Sequence, residues 1–218
     1  MTEFEAYFTP VCLYPHTAYR SAEGVRTLFE KYLSRAEKYL IIVADRLLAL
    51  DKLVAGRFLS ETGVFISARR EAEQVRRLIM RIEKQFGVPH SGKVLLWDEI
   101  ANTTEYREFA SRLTPEVMNN DELAYYINSF VESRVERFGL GASPAKERAY
   151  ELEYLLSEIC MSVFCTEMLG YAREIWERPP PEGSPDPLRI LYENHRELVP
   201  RVTGRPVRRV LEFVFEKS

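Results

Sequence analysis

The run Tyr39-Leu40-Ile41-Ile42-Val43-Ala44 constrains the fold more than any other feature of the chain. An unbroken stretch of β-branched, aliphatic and aromatic residues fits a strand covered on both faces, and such strands belong to parallel sheets flanked by helices. Upstream, Val11 to Tyr14 is a shorter apolar run ended by Pro15, as a first strand emptying into a loop would be. Between the two, helical spacing begins after Ser21, with Val25, Leu28, Phe29, Tyr32 and Leu33 on one face. Strand, helix and strand make one βαβ unit.

The alternation continues downstream. Arg46 to Leu59 is expected to be helical, a longer helix runs from about Ala68 to Phe86, and Lys93 to Trp97 is the third strand. From Trp97 to Gly139 the pattern is helical, with breaks expected near Thr114-Pro115 and Asn119-Asn120, where Asp121 starts the next helix. Ser143 is an N-cap ahead of Pro144 at the first helical position, and that helix extends to about Cys160. Glu167 to Tyr171 is a candidate strand, and 179–185 is a proline-rich turn that no helix survives. A helix from Asp186 to Leu198 and a last strand from Val207 to Phe215 complete the expected elements. Strands alternating with helices predict an α/β fold, a single Rossmann-like domain over 1–218 with a mostly parallel central sheet. The length suits one large domain, and no stretch has the composition of a linker.

Several classes of function are disfavoured by composition. The longest apolar runs are far too short to cross a bilayer, and the start, Met1-Thr2-Glu3-Phe4-Glu5, lacks the basic and apolar regions of a leader, so a cytoplasmic protein without a membrane partner is expected. Cys12, Cys160 and Cys165 form no metal-ligand spacing with His16, His90 or His195, so no metal site is expected. A formal charge of −3 argues against generic coating of nucleic acid, and DNA is not an expected partner. No G-x-G-x-x-G, P-loop or G-x-S-x-G motif is present, and no cofactor is expected. No feature specifies an oligomeric state.

Two helices carry the candidate chemistry. On the Ala68 to Phe86 helix, Val75, Leu78, Ile79, Ile82 and Phe86 form an apolar stripe, and Leu78 and Ile82 are expected to be buried. Arg69, Arg70, Arg76, Arg77, Arg81 and Lys84, with Glu73 among them, form the opposite side. A solvated face explains such a run, but one so nearly one-signed on an acidic protein equally suits an anion-binding stripe. On the helix after Ser143, Tyr150, Tyr154 and Glu158 follow at i, i+4 spacing and share a face, while Leu152, Leu155, Leu156 and Ile159 point to the core. A wet surface accounts for that face as well; over a pocket, Glu158 could hold an ammonium or move a proton and the tyrosines could hydrogen-bond a substrate. Open α/β sheets bind ligands at the carboxyl ends of their strands, where Tyr14 to Thr17 leave the first strand.

In order and spacing, the segments Leu96-Trp97-Asp98-Glu99-Ile100, Thr104-Glu105-Tyr106-Arg107, Asn120-Asp121-Glu122-Leu123 and Phe130-Val131 resemble the middle of the tRNA-dependent cyclodipeptide synthases. Tyr154-Leu155-Leu156-Ser157-Glu158 resembles that family's Y-x-x-x-E. The resemblance implies a fold similar to the catalytic domain of class I tyrosyl- and tryptophanyl-tRNA synthetases. It also implies an aminoacyltransferase that moves one aminoacyl group from a charged tRNA to a serine, adds a second from another tRNA, and releases a cyclic dipeptide (a diketopiperazine). It makes Tyr154 and Glu158 catalytic, the basic helix a tRNA-docking element and aminoacyl-tRNA the partner. The substrates arrive activated, so no ATP site is needed.

The departure lies in the first-strand motif, where the family has G-x-S-x-x-N-S-Y-F-S and this chain has Cys12-Leu13-Tyr14-Pro15-His16-Thr17-Ala18-Tyr19-Arg20-Ser21. Tyr14 falls at the serine, Cys12 at the glycine and Thr17 at the asparagine. The resemblance therefore makes Tyr14 the catalytic position and Cys12, Thr17 and Tyr171 substrate-binding ones, with Tyr14, Cys12 or Thr17 as acceptor; Tyr150 is a substrate-binding candidate from its place on the helix face of Tyr154 and Glu158. Alternatives are a non-catalytic relative that binds aminoacyl-tRNA and a Rossmann-like protein that binds a small molecule.

Overall fold

The structure is a computed structural model describing residues 6–13, 17–55, 60–87, 92–139, 143–177 and 186–214. Among these, five strands, β1 (Ala6–Val11), β2 (Lys38–Val43), β3 (Gly92–Leu96), β4 (Arg173–Trp176) and β5 (Val210–Phe213), form one sheet in the order β3-β2-β1-β4-β5. All four pairings are parallel. β2, the apolar run, sits inside the sheet with Tyr39 to Val43 all buried.

Alternate residues of the inner strands serve two cores, as the two-residue period of a strand requires. Phe8, Leu40 and Ile42 face one side, packed with Phe109, Leu155, Ile159 and Leu191. Tyr7, Tyr39, Ile41 and Val43 face the other, packed with Val25, Phe29, Val64, Val75 and Ile79. The first side is covered chiefly by α5 (Thr104–Met118), α6 (Asp121–Phe138), α7 (Pro144–Val163), α8 (Pro187–Asn194) and α9 (Leu198–Thr203). The second is covered by α1 (Ala22–Lys31) and α3 (Glu61–Phe86). α2 (Asp45–Val54) contributes to both, and α4 (Trp97–Ala101) follows β3 directly.

Local chemistry accounts for the boundaries. Ser21 caps α1 by accepting from the Gly24 amide at 3.0 Å, and Gly24 is required there because a Cβ would meet the Ala18 carbonyl oxygen at 2.2 Å. α3 starts seven residues before its expected onset, capped by Ser60, and ends on Gly87 at φ 58°. Asn120 caps α6 through the Leu123 amide.

Further expectations are corrected. β1 ends at Val11, where the expected strand begins, so its Thr9-Pro10 pair lies inside the strand. α5 runs through Pro115 to Met118, because a proline in the last turn removes a single intrahelical bond and leaves the following residues free to close on it. Glu167 to Tyr171 is no strand: α7 ends in a π-helical turn over Phe164–Met168, Gly170 reverses the chain at φ 76°, and β4 begins at Arg173. The expected helix from Asp186 to Leu198 is two, parted at His195. α2 ends at Val54 rather than Leu59, and the last strand is confined to Val210–Phe213 of the expected Val207 to Phe215. The 179–185 turn, Leu59, Tyr14 and Phe215 themselves lie outside the described residues.

Candidate active site

β2 and β3 lie on one side of β1, β4 and β5 on the other, so the strand order reverses between β1 and β4. Connections leaving those strands in opposite directions open a crevice above their carboxyl ends. A cavity of about 320 Å³ fills it. Pro10 and Cys12 line it from the end of β1, Trp176 and Glu177 from the end of β4, Phe130 and Arg134 from α6, and Tyr154 and Glu158 from α7, with Tyr19 closing one side. Below Cys12 and Tyr154, the side chains of Leu13, Ala44, Leu47 and Leu48 close the remaining space to about 10 Å³.

Glu158 stands one turn beyond Tyr154 on α7, so both reach the same volume. Burial, then the neighbouring Asp186 and Glu174 carboxylates, push its carboxyl from 4.5 up to about 7, opposed by Arg134. It is therefore poised to exchange a proton near neutrality. The Cys12 thiol is pushed up by burial, then by Glu158 and Glu177, and is held as a neutral thiol.

Arg134 organises the α6 wall. Its Nε donates to Glu151 at 2.7 Å and its Nη2 to Asp51 at 2.8 Å. The guanidinium also lies over the rings of Tyr154 and Phe138, each 5.1 Å from the centroid. Glu177 is held from the opposite wall: the Thr17 hydroxyl donates to one carboxylate oxygen, and the Ala18 amide donates to the other at 3.1 Å. The buried Tyr19 hydroxyl lies beside Thr9 but makes no hydrogen bond of good geometry among the described residues.

A polar network lies behind Glu158. Glu174 accepts from Ser162 at 2.8 Å, from Trp176 Nε1 at 3.0 Å and from Arg209 Nε at 2.5 Å, and the Arg209 guanidinium stacks 4.4 Å from the Tyr192 ring centroid. Arg209 and Glu174 are both almost fully buried, so each is the other's compensation.

The cavity thus brings together Cys12, Tyr154 and Glu158, with Thr17 one hydrogen bond behind its wall. Tyr14 lies outside the described residues. Tyr150 stands away from the cavity at the start of α7, where its hydroxyl donates to Glu61 at 2.5 Å. Tyr171 is also elsewhere: it precedes β4, at the amino end of the sheet, with Lys38 Nζ 4.7 Å above its ring. Trp176, at the carboxyl end of the same strand, lines the cavity in its place. Arg134, Trp176 and Glu177 were not singled out from sequence; the signal for Arg134 is its i±4 spacing to Phe130 and Phe138, which sandwiches the guanidinium between rings.

On α3 the core stripe is Val64, Ala68, Ala72, Val75, Ile79 and Ile82, and Leu78 is half-buried at its edge. Arg69, Arg70, Arg77, Arg81 and Lys84 are exposed. Arg76 is half-buried and held by Glu99 at 2.9 Å, and Arg69 approaches the buried Asp45 at 3.7 Å. Among the described residues no helix is long and apolar enough to cross a membrane, and no cluster of three His, Cys, Asp or Glu side chains is placed to hold a metal.

No family model matches the sequence, and no curated protein does. Solved structures match at the level of fold. A cyclodipeptide synthase from Fluoribacter dumoffii superposes with a TM-score of 0.70 at 15% identity, covering 95% of this chain and 90% of that one. The cyclodipeptide synthase from Candidatus Glomeribacter gigasporarum, bound to Phe-tRNAPhe, gives 0.58 at 17%, covering 95% and 86%. A Mycobacterium tuberculosis protein, whose structure demonstrates that cyclodipeptide synthetases are related to type I tRNA synthetases, gives 0.64 at 17%, covering 88% and 80%. The chain therefore has the α/β fold seen in these cyclodipeptide synthase structures, one parallel sheet flanked by helices.

Proposed function

We propose that the chain takes aminoacyl groups from two charged tRNAs and joins them into a cyclic dipeptide. The observation that carries this reading is the convergence of Tyr154, Glu158 and Cys12 on one cavity at the β1/β4 crossover, on a fold shared with a structure bound to Phe-tRNAPhe. The exposed cations of α3 are the tRNA-docking stripe, since phosphate contacts need accessible positive charge rather than buried pairs.

In this reading, an acceptor on the segment from Cys12 to Thr17 attacks the first aminoacyl ester. The new bond forms at the ester carbon, the bond to the ribose oxygen breaks, and the acceptor's proton passes to that oxygen. The amine of the second aminoacyl group then attacks the bound carbonyl and frees the acceptor. A second amine attack, on the remaining ester, closes the ring and releases the second tRNA or, after transfer back, the acceptor. Each attacking amine must first lose a proton, and Glu158 is the carboxylate to receive it. Arg134 fixes the Tyr154 ring by stacking. Tyr14 occupies the acceptor position by motif; Cys12 is the thiol that lines the cavity.

A second reading, a non-catalytic protein that binds aminoacyl-tRNA, is favoured by one observation: the Cys12 thiol is held neutral and the Thr17 hydroxyl is engaged by Glu177. Mass spectrometry of the small molecules made by cells expressing the chain separates the two. Cyclic dipeptides absent from control cells support the enzyme; tRNA binding without product supports the second reading; no tRNA binding at low salt refutes both and leaves a small-molecule binder.

A further inference from the structure

A second cavity, of about 550 Å³, lies on the other side of α7, between that helix, the start of α2, α4 and α5. Its wall is mostly apolar: Leu152 and Leu156 line it from α7, and Tyr106 and Ala110 from α5. Three charged side chains reach it, Arg46, Glu153 and Arg107. Arg46 is neutralised, because it pairs with Glu153 at 2.5 Å and with Asp98 at 3.4 Å. Arg107 is not. Its Nη2 donates to the amide oxygen of Asn102 at 2.9 Å, and no ion pair joins it to a carboxylate among the described residues. The cavity therefore combines an apolar body with one uncompensated, exposed guanidinium.

We propose that this cavity binds a small hydrophobic monocarboxylate, its hydrocarbon body against Leu152, Leu156 and Tyr106 and its carboxylate on Arg107. The volume falls in the range of pockets that enclose small organic ligands. An apolar lining stabilises a hydrocarbon body, and a planar guanidinium presents paired donors that match a carboxylate. One free positive charge selects a monoanion over a phosphate dianion. The site is distinct from the crevice at the β1/β4 crossover, and its existence does not depend on the reaction proposed there.

The test is calorimetric titration of the full chain with millimolar 4-phenylbutyrate and, separately, with the neutral 4-phenylbutanamide. The carboxylate is expected to bind saturably and about tenfold or more tighter than the amide, the size of one charge-assisted hydrogen-bonded contact. Arg107→Gln, a change at an exposed position, should remove that preference and leave amide binding unchanged. Ala110→Phe should remove binding of both by filling the cavity. Absence of saturable binding to the parent overturns the proposal, as does Arg107→Gln protein that still prefers the carboxylate. Binding that survives Ala110→Phe in a folded variant overturns it too.

Discussion

Replacing Glu158 with Gln keeps the shape of the side chain and removes its charge, so it isolates what that charge costs the fold. A carboxyl raised from 4.5 to about 7 corresponds to about 3 kcal/mol at about 1.4 kcal/mol per pH unit. Glu158 opens onto the cavity, where water offsets part of that cost, and a difference of roughly 1–2 kcal/mol is the working expectation. The sign follows from linkage. The folded protein binds this proton more tightly than the unfolded chain, so Glu158 favours folding most below pH 4.5, and that contribution is lost as pH rises through 7. Urea denaturation of parent and Glu158→Gln at pH 5 and pH 8 measures it. The variant should be the more stable at pH 8 by that margin, with the gap closing towards pH 5. Asp45, also raised to about 6 by burial and by Asp98, titrates in the same window but is present in both proteins and cancels in the comparison. A variant that is no more stable at pH 8 refutes the argument that burial raises this carboxyl. In activity the same change should abolish most product, because the amide cannot accept the proton of the attacking amine; full activity removes Glu158 from the mechanism.

Charge reversal at Arg70, Arg77 and Arg81 should weaken tRNA binding and flatten its salt dependence without changing the denaturation midpoint, since all three side chains are exposed; unchanged binding makes the stripe an ordinary solvated face. Arg134→Met leaves the buried Glu151 without its partner and should cost about 3–5 kcal/mol by denaturation at pH 8, with the loss shrinking as pH falls, because burial already raises the Glu151 carboxyl and protonation removes the unpaired charge. Incubation with charged tRNA followed by peptide mapping should find an aminoacyl adduct between Cys12 and Ser21; cyclic dipeptide formed by the Tyr14→Phe, Cys12→Ala double variant rules out both residues as acceptor. Gly24→Ala should destabilise the fold by several kcal/mol, seen as a lowered melting temperature, because its Cβ would meet backbone at 2.2 Å.

What the sequence disclosed and what it hid divide along a physical line. Periodicity is a property of one element at a time, and it was legible: β2 as an unbroken apolar run, α1 and α3 as stripes, α7 as the helix carrying Tyr154 and Glu158 on one face. Wherever two elements had to meet, local pattern gave no information. Tyr171 was an attractive pocket residue only while Glu167 to Tyr171 could be a strand. The π-helical turn at Phe164–Met168 and the left-handed Gly170 consume those residues in reversing the chain, so the strand starts later and its carboxyl end delivers Trp176 and Glu177 instead. Tyr150 shares a helical face with Tyr154, but the cavity spans only about one turn of α7, and two turns from Glu158 the helix has already reached Glu61. Arg134 was hidden for a related reason. Its partners Asp51 and Glu151 lie on α2 and α7, distant in sequence, and only the packed fold converts a mid-helix arginine into the group that holds Tyr154 in place. The residues that line the cavity are thus set by how far each strand runs before it ends, and that length is fixed by the turns between elements rather than by the periodic segments themselves.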